Sequence, residues 1–325
     1  MIFGIYGILA LAVIFLSIKA AYYVDLIDKK TSLSGAFIGG VLLAAVTSLP
    51  ELITSISGTV ILDNPGLTLG NIMGSNIFNI TILGVLILVG VKRFNKAQIS
   101  TSHFNTSLAI IACYTFVAIT LFAGVQNEIL TVNISSILIV LAYIFGIKSL
   151  ASDSGTDEEL EVEDDDVDVD LTVKQILIRF VMTSIGLVFA SYFVTYVTDI
   201  ITVEYNLGAS LAGALFLGIA TSLPEVTSCI ALAKLGNYNM AVGNIVGSNL
   251  FNFFIIFVAD VLYTKGSVYI IGDTQTNNLL FFGLISSMIL AFILKIKQNK
   301  NATYLFLVSG VAVIACYLSF LVLSV

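Results

Sequence analysis

The chain alternates between long apolar runs and short clusters of Asp, Asn, Gly and Lys. The runs match the length a helix needs to cross the hydrocarbon core of a bilayer, about 20 residues. Ten membrane helices are predicted on this basis, at residues 3–24, 33–60, 67–91, 106–125, 130–150, 172–199, 207–234, 239–263, 278–296 and 302–324. Lys29, Lys30, Lys92, Arg93, Lys96, Lys148, Lys174, Arg179, Lys234, Lys295, Lys297 and Lys300 fall on one side of this threading, and Lys265 alone falls on the other. Lys and Arg collect on the cytoplasmic side, so both termini are expected to be extracellular. The run from Ile2 to Ser17 has no basic residue ahead of it and is followed by Lys19, Lys29 and Lys30, which predicts a retained first span rather than a cleaved leader.

Composition narrows the class. With 58% hydrophobic and 11% charged residues and a mean hydropathy of +1.03, the chain has too little polar surface for a soluble globule and is expected to be an all-α integral membrane protein. The net charge of −7 comes from one place, since residues 152–170 hold 11 of the 21 acidic residues and the rest of the chain is slightly basic. That segment is expected to be a cytoplasmic linker, so the acidic balance says nothing about a substrate. Its plain reading is a self-repelling connector. A regulatory divalent-cation site is the sharper alternative, but the Gly-centred spacing of an EF-hand loop is missing. The expected organisation is a first five-helix unit at 1–150, the linker at 151–171 and a second five-helix unit at 172–325. Cys113, Cys229 and Cys316 lie in apolar segments at unrelated spacings and read as small packing residues.

One polar pattern occurs twice inside the apolar runs. Thr47-Ser48-Leu49-Pro50-Glu51 precedes Gly70-Asn71, Gly74-Ser75-Asn76 and Asn79; Thr221-Ser222-Leu223-Pro224-Glu225 precedes Gly243-Asn244, Gly247-Ser248-Asn249 and Asn252. Five predicted spans separate the copies, and because five is odd the second copy must enter the membrane upside down, the inverted-repeat plan of secondary transporters. A carboxylate inside a span costs roughly 2.5–3.5 kcal/mol on insertion scales and is a functional-site hypothesis by default. Thr47, Ser48 and Glu51 lie four and three residues apart on one helix face, as do Thr221, Ser222 and Glu225. Ser75 with Asn79, and Ser248 with Asn252, add oxygens from the next span. Pro50 and Pro224 lack an N–H, so kinked or broken helices with freed carbonyls are expected at Val46 and Ala220. Carboxylate, hydroxyl, amide and carbonyl without thiolate or imidazole suit hard cations such as Ca²⁺ and Na⁺. Such polar residues can also join membrane helices without any ion, but a duplicate with the same groups at nearly the same spacing favours a site. The GxxxG pairs Gly70/Gly74 and Gly243/Gly247 read as close helix contacts.

An intramembrane hydrolase fails on inventory: the sole histidine, His103, is expected in a solvated loop, out of reach of a buried serine. Asp25 and Asp260, near span ends, read as interfacial residues rather than an ion vestibule. The expected partners are the transported ions and the lipid bilayer. No cofactor and no nucleic acid is expected, and no protein partner is legible.

At the doubled motif the chain resembles the sodium/calcium exchangers, within the calcium:cation antiporter superfamily. The resemblance covers both repeat cores, about 50 residues, together with the ten-span plan and the central loop. It implies a secondary antiporter, not an enzyme, of a cell membrane, which exchanges Ca²⁺ for Na⁺ at a midplane site. The implied ligands are Glu51, Glu225, Ser48, Ser222, Thr47, Thr221, Ser75, Ser248, Asn79 and Asn252, with carbonyls of Ala44 and Gly218 facing Na⁺. Val46 and Ala220 stand where members usually have Gly before the Thr of TSLPE. The potassium-dependent branch carries Asp where this chain has Asn252, so the amide argues against potassium dependence. Ca²⁺/H⁺ antiport is the alternative, although that branch typically places a Glu shortly after Gly-Asn, where this chain has Ile72-Met73-Gly74-Ser75.

Overall fold

A computed structural model describes residues 2–30, 47–124, 127–129, 131–151, 171–234, 236, 238–269, 273–299 and 302–324. Among these residues nine helices are long and apolar enough to cross a membrane. The predicted span 33–60 is described only from residue 47, as helix α2 (Leu49–Ile56) running into a π-helical turn (Ser57–Ile61). The remaining helices are α1 (Ile2–Lys30), α3 (Pro65–Val89), the short α4 (Val91–Lys96), α5 (Thr101–Ala123), α6 (Ile134–Ala151) and α7 (Val173–Glu204). They continue with α8 (Ala209–Ala212), a second π-helical turn (Gly213–Gly218), α9 (Ile219–Lys234), α10 (Tyr238–Leu262), α11 (Thr274–Asn299) and α12 (Thr303–Ser324). The linker at 152–170, Ala44 and Val46 lie outside the described residues.

Local chemistry explains several boundaries. Pro65 opens α3, where its missing N–H costs nothing. Thr172 and Gln175 form a reciprocal capping box at the start of α7. Ser100 accepts the N–H of Ser102 to cap α5, which ends on Gly124 in the left-handed region at φ 63. A small antiparallel hairpin, β1 (Glu128–Ile129) with β2 (Val132–Asn133), precedes α6 where the apolar pattern predicted helix from 130.

Helices α3 and α10 cross at the centre, and each carries a long roll of buried residues on all sides. Around them α5, α6, α11 and α12 build one apolar cluster that includes Ile77, Tyr114, Phe253 and Phe306. A second cluster joins α1 and α7 through Val13, Leu187 and Val194, and seats that pair against Leu67, Ala212, Leu217 and Ala220. The outward faces of α1 and α7 expose Ile8, Leu11, Phe15, Val181 and Phe189, as expected for helices solvated by lipid.

The two ends of the bundle carry different chemistry. At one end Lys297 donates to the carbonyl of Asn95 at 2.9 Å, and Asn95 donates to Thr303 at 3.0 Å. At the other, Lys265 pairs with Asp63 at 3.4 Å, Tyr263 donates to Asp63 at 2.8 Å, and Asn64 reaches Asp199 at 2.9 Å. Lys297 thus sits with the 91–96 segment and Lys265 opposite, the segregation that the threading predicts.

Two expectations are corrected. His103 is not a solvated loop residue: it lies in α5, is buried, and its Nε2 meets Asn239 Oδ1 at 3.0 Å, because the helix starts five residues earlier than its apolar run. Asp260 is not an interfacial carboxylate: it is buried, and Oδ2 accepts the backbone N–H of Asn133 at 2.8 Å, so it anchors the hairpin. The helix is interrupted at Ser48, so that Pro50 stands in the first turn of α2, whereas Pro224 lies within α9. The side chain of Asp25 lies outside the described residues.

Candidate ion site

The two motif copies converge where α2, α3, α9 and α10 meet. Thr47, Ser48, Glu51, Ser75, Asn79, Thr221, Ser222, Glu225, Ser248 and Asn252 are all fully buried. Each carboxylate is held by the other copy: Ser48 Oγ donates to Glu225 Oε1 at 3.1 Å, and Ser222 Oγ donates to Glu51 Oε1 at 3.2 Å. Ser248 adds a longer contact to Glu225 Oε1 at 3.5 Å. The second oxygen of each carboxylate, Oε2 of Glu51 and of Glu225, has no hydrogen-bond partner among the described residues; neither has Oδ1 of Asn79 or of Asn252. Buried polar atoms are ordinarily satisfied, and an orphaned carboxylate oxygen is among the most costly exceptions. Two carboxylate and two amide oxygens, all acceptors, therefore stand open to a donor or a cation.

Glu51 is placed by a network that the hydroxyl and carboxylate spacing alone did not single out. Asn71 Nδ2 lies 3.3 Å from the carbonyl of Glu51, 2.9 Å from Thr54 Oγ1 and 3.0 Å from Ser55 Oγ. Its Oδ1 accepts from Thr221 at 3.3 Å, so Asn71 ties α2 and α3 to α9. The equivalent Asn244 has only Cys229 Sγ, at 3.6 Å, for its amide. The Gly-Asn step of the motif was the available signal for both residues.

The other expected ligands are placed as follows. Ser75 Oγ donates to the Gly218 carbonyl at 3.2 Å, so that carbonyl is directed at the site wall. Thr221 also donates back to the Leu217 carbonyl at 2.9 Å. The GxxxG glycines of α3 allow the close approach that brings the wall in: a Cβ at Gly70 would run into the backbone of Ser210, and one at Gly74 would lie 2.5 Å from Ala214 Cα. Gly243, by contrast, faces the ring of His103. Cys113, Cys229 and Cys316 are buried and free, in keeping with a packing role. Among the described residues no group of three or more His, Cys, Asp or Glu gathers; the motif residues combine two carboxylates with neutral hydroxyl and amide groups.

A pair of buried carboxylates walled by crossing membrane helices is the arrangement of an ion transporter. The chain matches the family described as sodium/calcium exchanger protein over residues 4–148 and 175–325, and it belongs to that family of membrane cation antiporters. Among its relatives, the inner membrane protein YrbG of Escherichia coli (strain K12) is 25% identical over 264 residues, which span 79% of this chain and 78% of that one. The uncharacterized membrane protein MJ0091 of Methanocaldococcus jannaschii is 24% identical over 225 residues, 69% of each chain. Among solved structures, native YfkE superposes with a TM-score of 0.69 at 18% identity, covering 98% of this chain and 90% of that one. The sodium-calcium exchanger NCX_Mj soaked with Na⁺ and Sr²⁺ superposes with a TM-score of 0.61 at 20% identity, covering 99% of both chains. At these identities the two structures establish the all-helical membrane fold.

Proposed function

We propose that the chain exchanges Ca²⁺ for Na⁺ across a cell membrane by alternating access, with the ions bound between Glu51 and Glu225. The observation that carries this reading is the set of four orphaned, buried acceptors, Oε2 of both glutamates and Oδ1 of Asn79 and Asn252. Oxygen-only ligands with a formal charge of −2 match one Ca²⁺, and the same oxygens accept Na⁺. Ser48, Ser222, Ser75, Ser248, Thr47 and Thr221 complete the ligand set, with the Gly218 carbonyl beside Ser75. The two five-helix units are inverted copies: Asn79 pairs with Asn249 and Asn76 with Asn252, the crosswise pattern of two helices crossing antiparallel. Both termini are extracellular, and the acidic segment 152–170 is cytoplasmic.

The test is Ca²⁺ uptake into proteoliposomes, driven separately by an outward Na⁺ gradient and by a pH gradient. Uptake that follows Na⁺ supports the proposal. Uptake that follows only the proton gradient establishes Ca²⁺/H⁺ antiport instead, and uptake with neither removes Ca²⁺ as the substrate.

A further inference from the structure

The amide oxygens of Asn79 and Asn252 can serve a cation only if they, and not the NH₂ groups, face the carboxylates. Asn76 and Asn249, one residue after the site serines and fully buried, decide this orientation. Asn76 Nδ2 faces the backbone carbonyl of Asn249 at 3.3 Å, and Asn249 Nδ2 faces the backbone carbonyl of Asn76 at 3.1 Å. A carbonyl only accepts, so each of these amides must turn its NH₂ to the opposite backbone. With the NH₂ turned to the backbone, their side-chain oxygens point the other way, to the next pair. Asn249 Oδ1 lies 3.0 Å from Asn79 Nδ2, and Asn76 Oδ1 lies 2.9 Å from Asn252 Nδ2. Asn79 and Asn252 must therefore donate through their NH₂ groups, and their Oδ1 atoms are the ones left orphaned and buried. The orientations of these four amides follow from two backbone carbonyls.

We propose that Asn76 and Asn249 are positioning residues, a reciprocal amide lock that turns the carbonyl oxygens of Asn79 and Asn252 toward the ion and their NH₂ groups away from it. The inference rests on the cation-antiport reading of the same site. The lock acts crosswise: Asn76, on α3, sets Asn252 on α10, and Asn249, on α10, sets Asn79 on α3. Without its acceptor, either amide could rotate and present two N–H donors to a cation, replacing an attraction by a repulsion. An Asp at the oriented position has oxygen at both ends and needs no orienting.

That difference supplies the test. In proteoliposomes, Asn76→Leu should raise the apparent KM for Ca²⁺ by roughly tenfold or more while the maximal rate falls far less, since a charged hydrogen-bonding contact is worth about that factor. Asn76→Asp keeps the oxygen that Asn252 donates to but sets its other oxygen against the Asn249 carbonyl, so it should recover part of the loss in KM while lowering stability. Asn76→Leu should be strongly non-additive with Asn252→Asp and additive with Asn79→Asp, and Asn249→Leu should show the reverse pattern. Ca²⁺- and Na⁺-induced thermal stabilisation of the purified variants provides a second readout that does not need transport. Equal coupling of Asn76 to both oriented positions, or none, in a parent that responds to cations would overturn the lock alone. A parent that neither moves Ca²⁺, Na⁺ or protons nor is stabilised by them overturns the antiport reading and the lock with it.

Discussion

Glu51 and Glu225 each have one oxygen tied to a serine of the opposite copy and one left without a partner among the described residues. Replacing either by Gln keeps the shape but halves the charge available to a divalent ion and places an NH₂ beside the remaining carboxylate. Ca²⁺ exchange by Glu51→Gln or Glu225→Gln should fall close to background, with insertion intact on a size-exclusion profile. A correctly inserted variant that moves Ca²⁺ at the parental rate would relocate the site. At this scale the doubled motif made most of the site legible, because an acidic residue inside an apolar run has few uses other than function. The same motif carries Asn76 and Asn249 beside the proposed ligand residues, yet the orienting role proposed for them was hidden. Which end of an amide faces an ion depends on which backbone carbonyl lies opposite, and that carbonyl belongs to a residue 173 positions away.

At the scale of the elements, helix α3 approaches the segment 209–218 so closely that side chains at Gly70 and Gly74 would have no room. Gly74→Ala would place a methyl 2.7 Å from Ala214 Cβ, and the forced separation should cost about 1–3 kcal/mol. The expected outcome is a lower unfolding temperature in detergent together with weaker ion-induced stabilisation, since Gly218 and Ser75 would be pushed apart. The same segment is secured at its start. Ser210 Oγ donates to Asp273 Oδ2 at 2.6 Å, and Asp273 caps α11 by accepting the N–H of Thr276 at 3.0 Å. Burial alone would raise the Asp273 carboxyl, but the hydroxyls of Ser210 and Thr276 and the N–H groups of Thr276 and Gln275 outweigh it and hold it below the usual carboxylate range. A depressed carboxyl contributes stability that is complete above the unfolded value near 3.9 and is lost as pH falls through the folded one. Asp273→Ala should therefore cost about 1 kcal/mol near neutrality, the scale of a lost helix cap in a half-exposed setting, and progressively less in acid. Thermal melts of parent and variant at several pH values check this; a difference that grew on acidification would contradict it.

For the whole molecule, the charge of the site decides whether exchange moves net charge. Asn79 and Asn252 are neutral, so Glu51 and Glu225 alone supply −2, which one Ca²⁺ or two Na⁺ would cancel. On the proposed reading the hydroxyls and the Gly218 carbonyl would provide ligands for a further Na⁺, so a Na⁺-loaded state would carry one more positive charge than the Ca²⁺ state. Exchange should then respond to membrane potential by about 2.3 kcal/mol per elementary charge per 100 mV. Clamping proteoliposomes with K⁺ and valinomycin should speed or slow Ca²⁺ flux according to sign, and voltage-independent flux would establish an electroneutral cycle. The acidic segment lies outside both motif copies, so replacing residues 157–170 by a Gly/Ser bridge should preserve exchange, with at most an altered Ca²⁺ dependence. Loss of all transport in a stable deletion would make the segment part of the machinery.

The membrane class, the approximate spans, the segregation of basic residues and the paired carboxylates were all set by the sequence itself. Each depends on a local property, either apolar length against bilayer thickness or the cost of a charge within it. Boundaries drifted where capping chemistry outweighed hydropathy: Ser100 starts α5 well before its apolar run, which carried His103 from an expected loop into a buried helix. Asp260 reads as an interfacial residue until the hairpin folds back and offers it the N–H of Asn133. Tertiary structure alone decided that each glutamate is held by the other copy's serine, that Asn71 reaches Thr221 of the other copy, and that four buried oxygens of the site are left without a partner among the described residues. These are contacts between segments about half a chain apart, and no local pattern carries information about which groups a long-range crossing will place opposite each other.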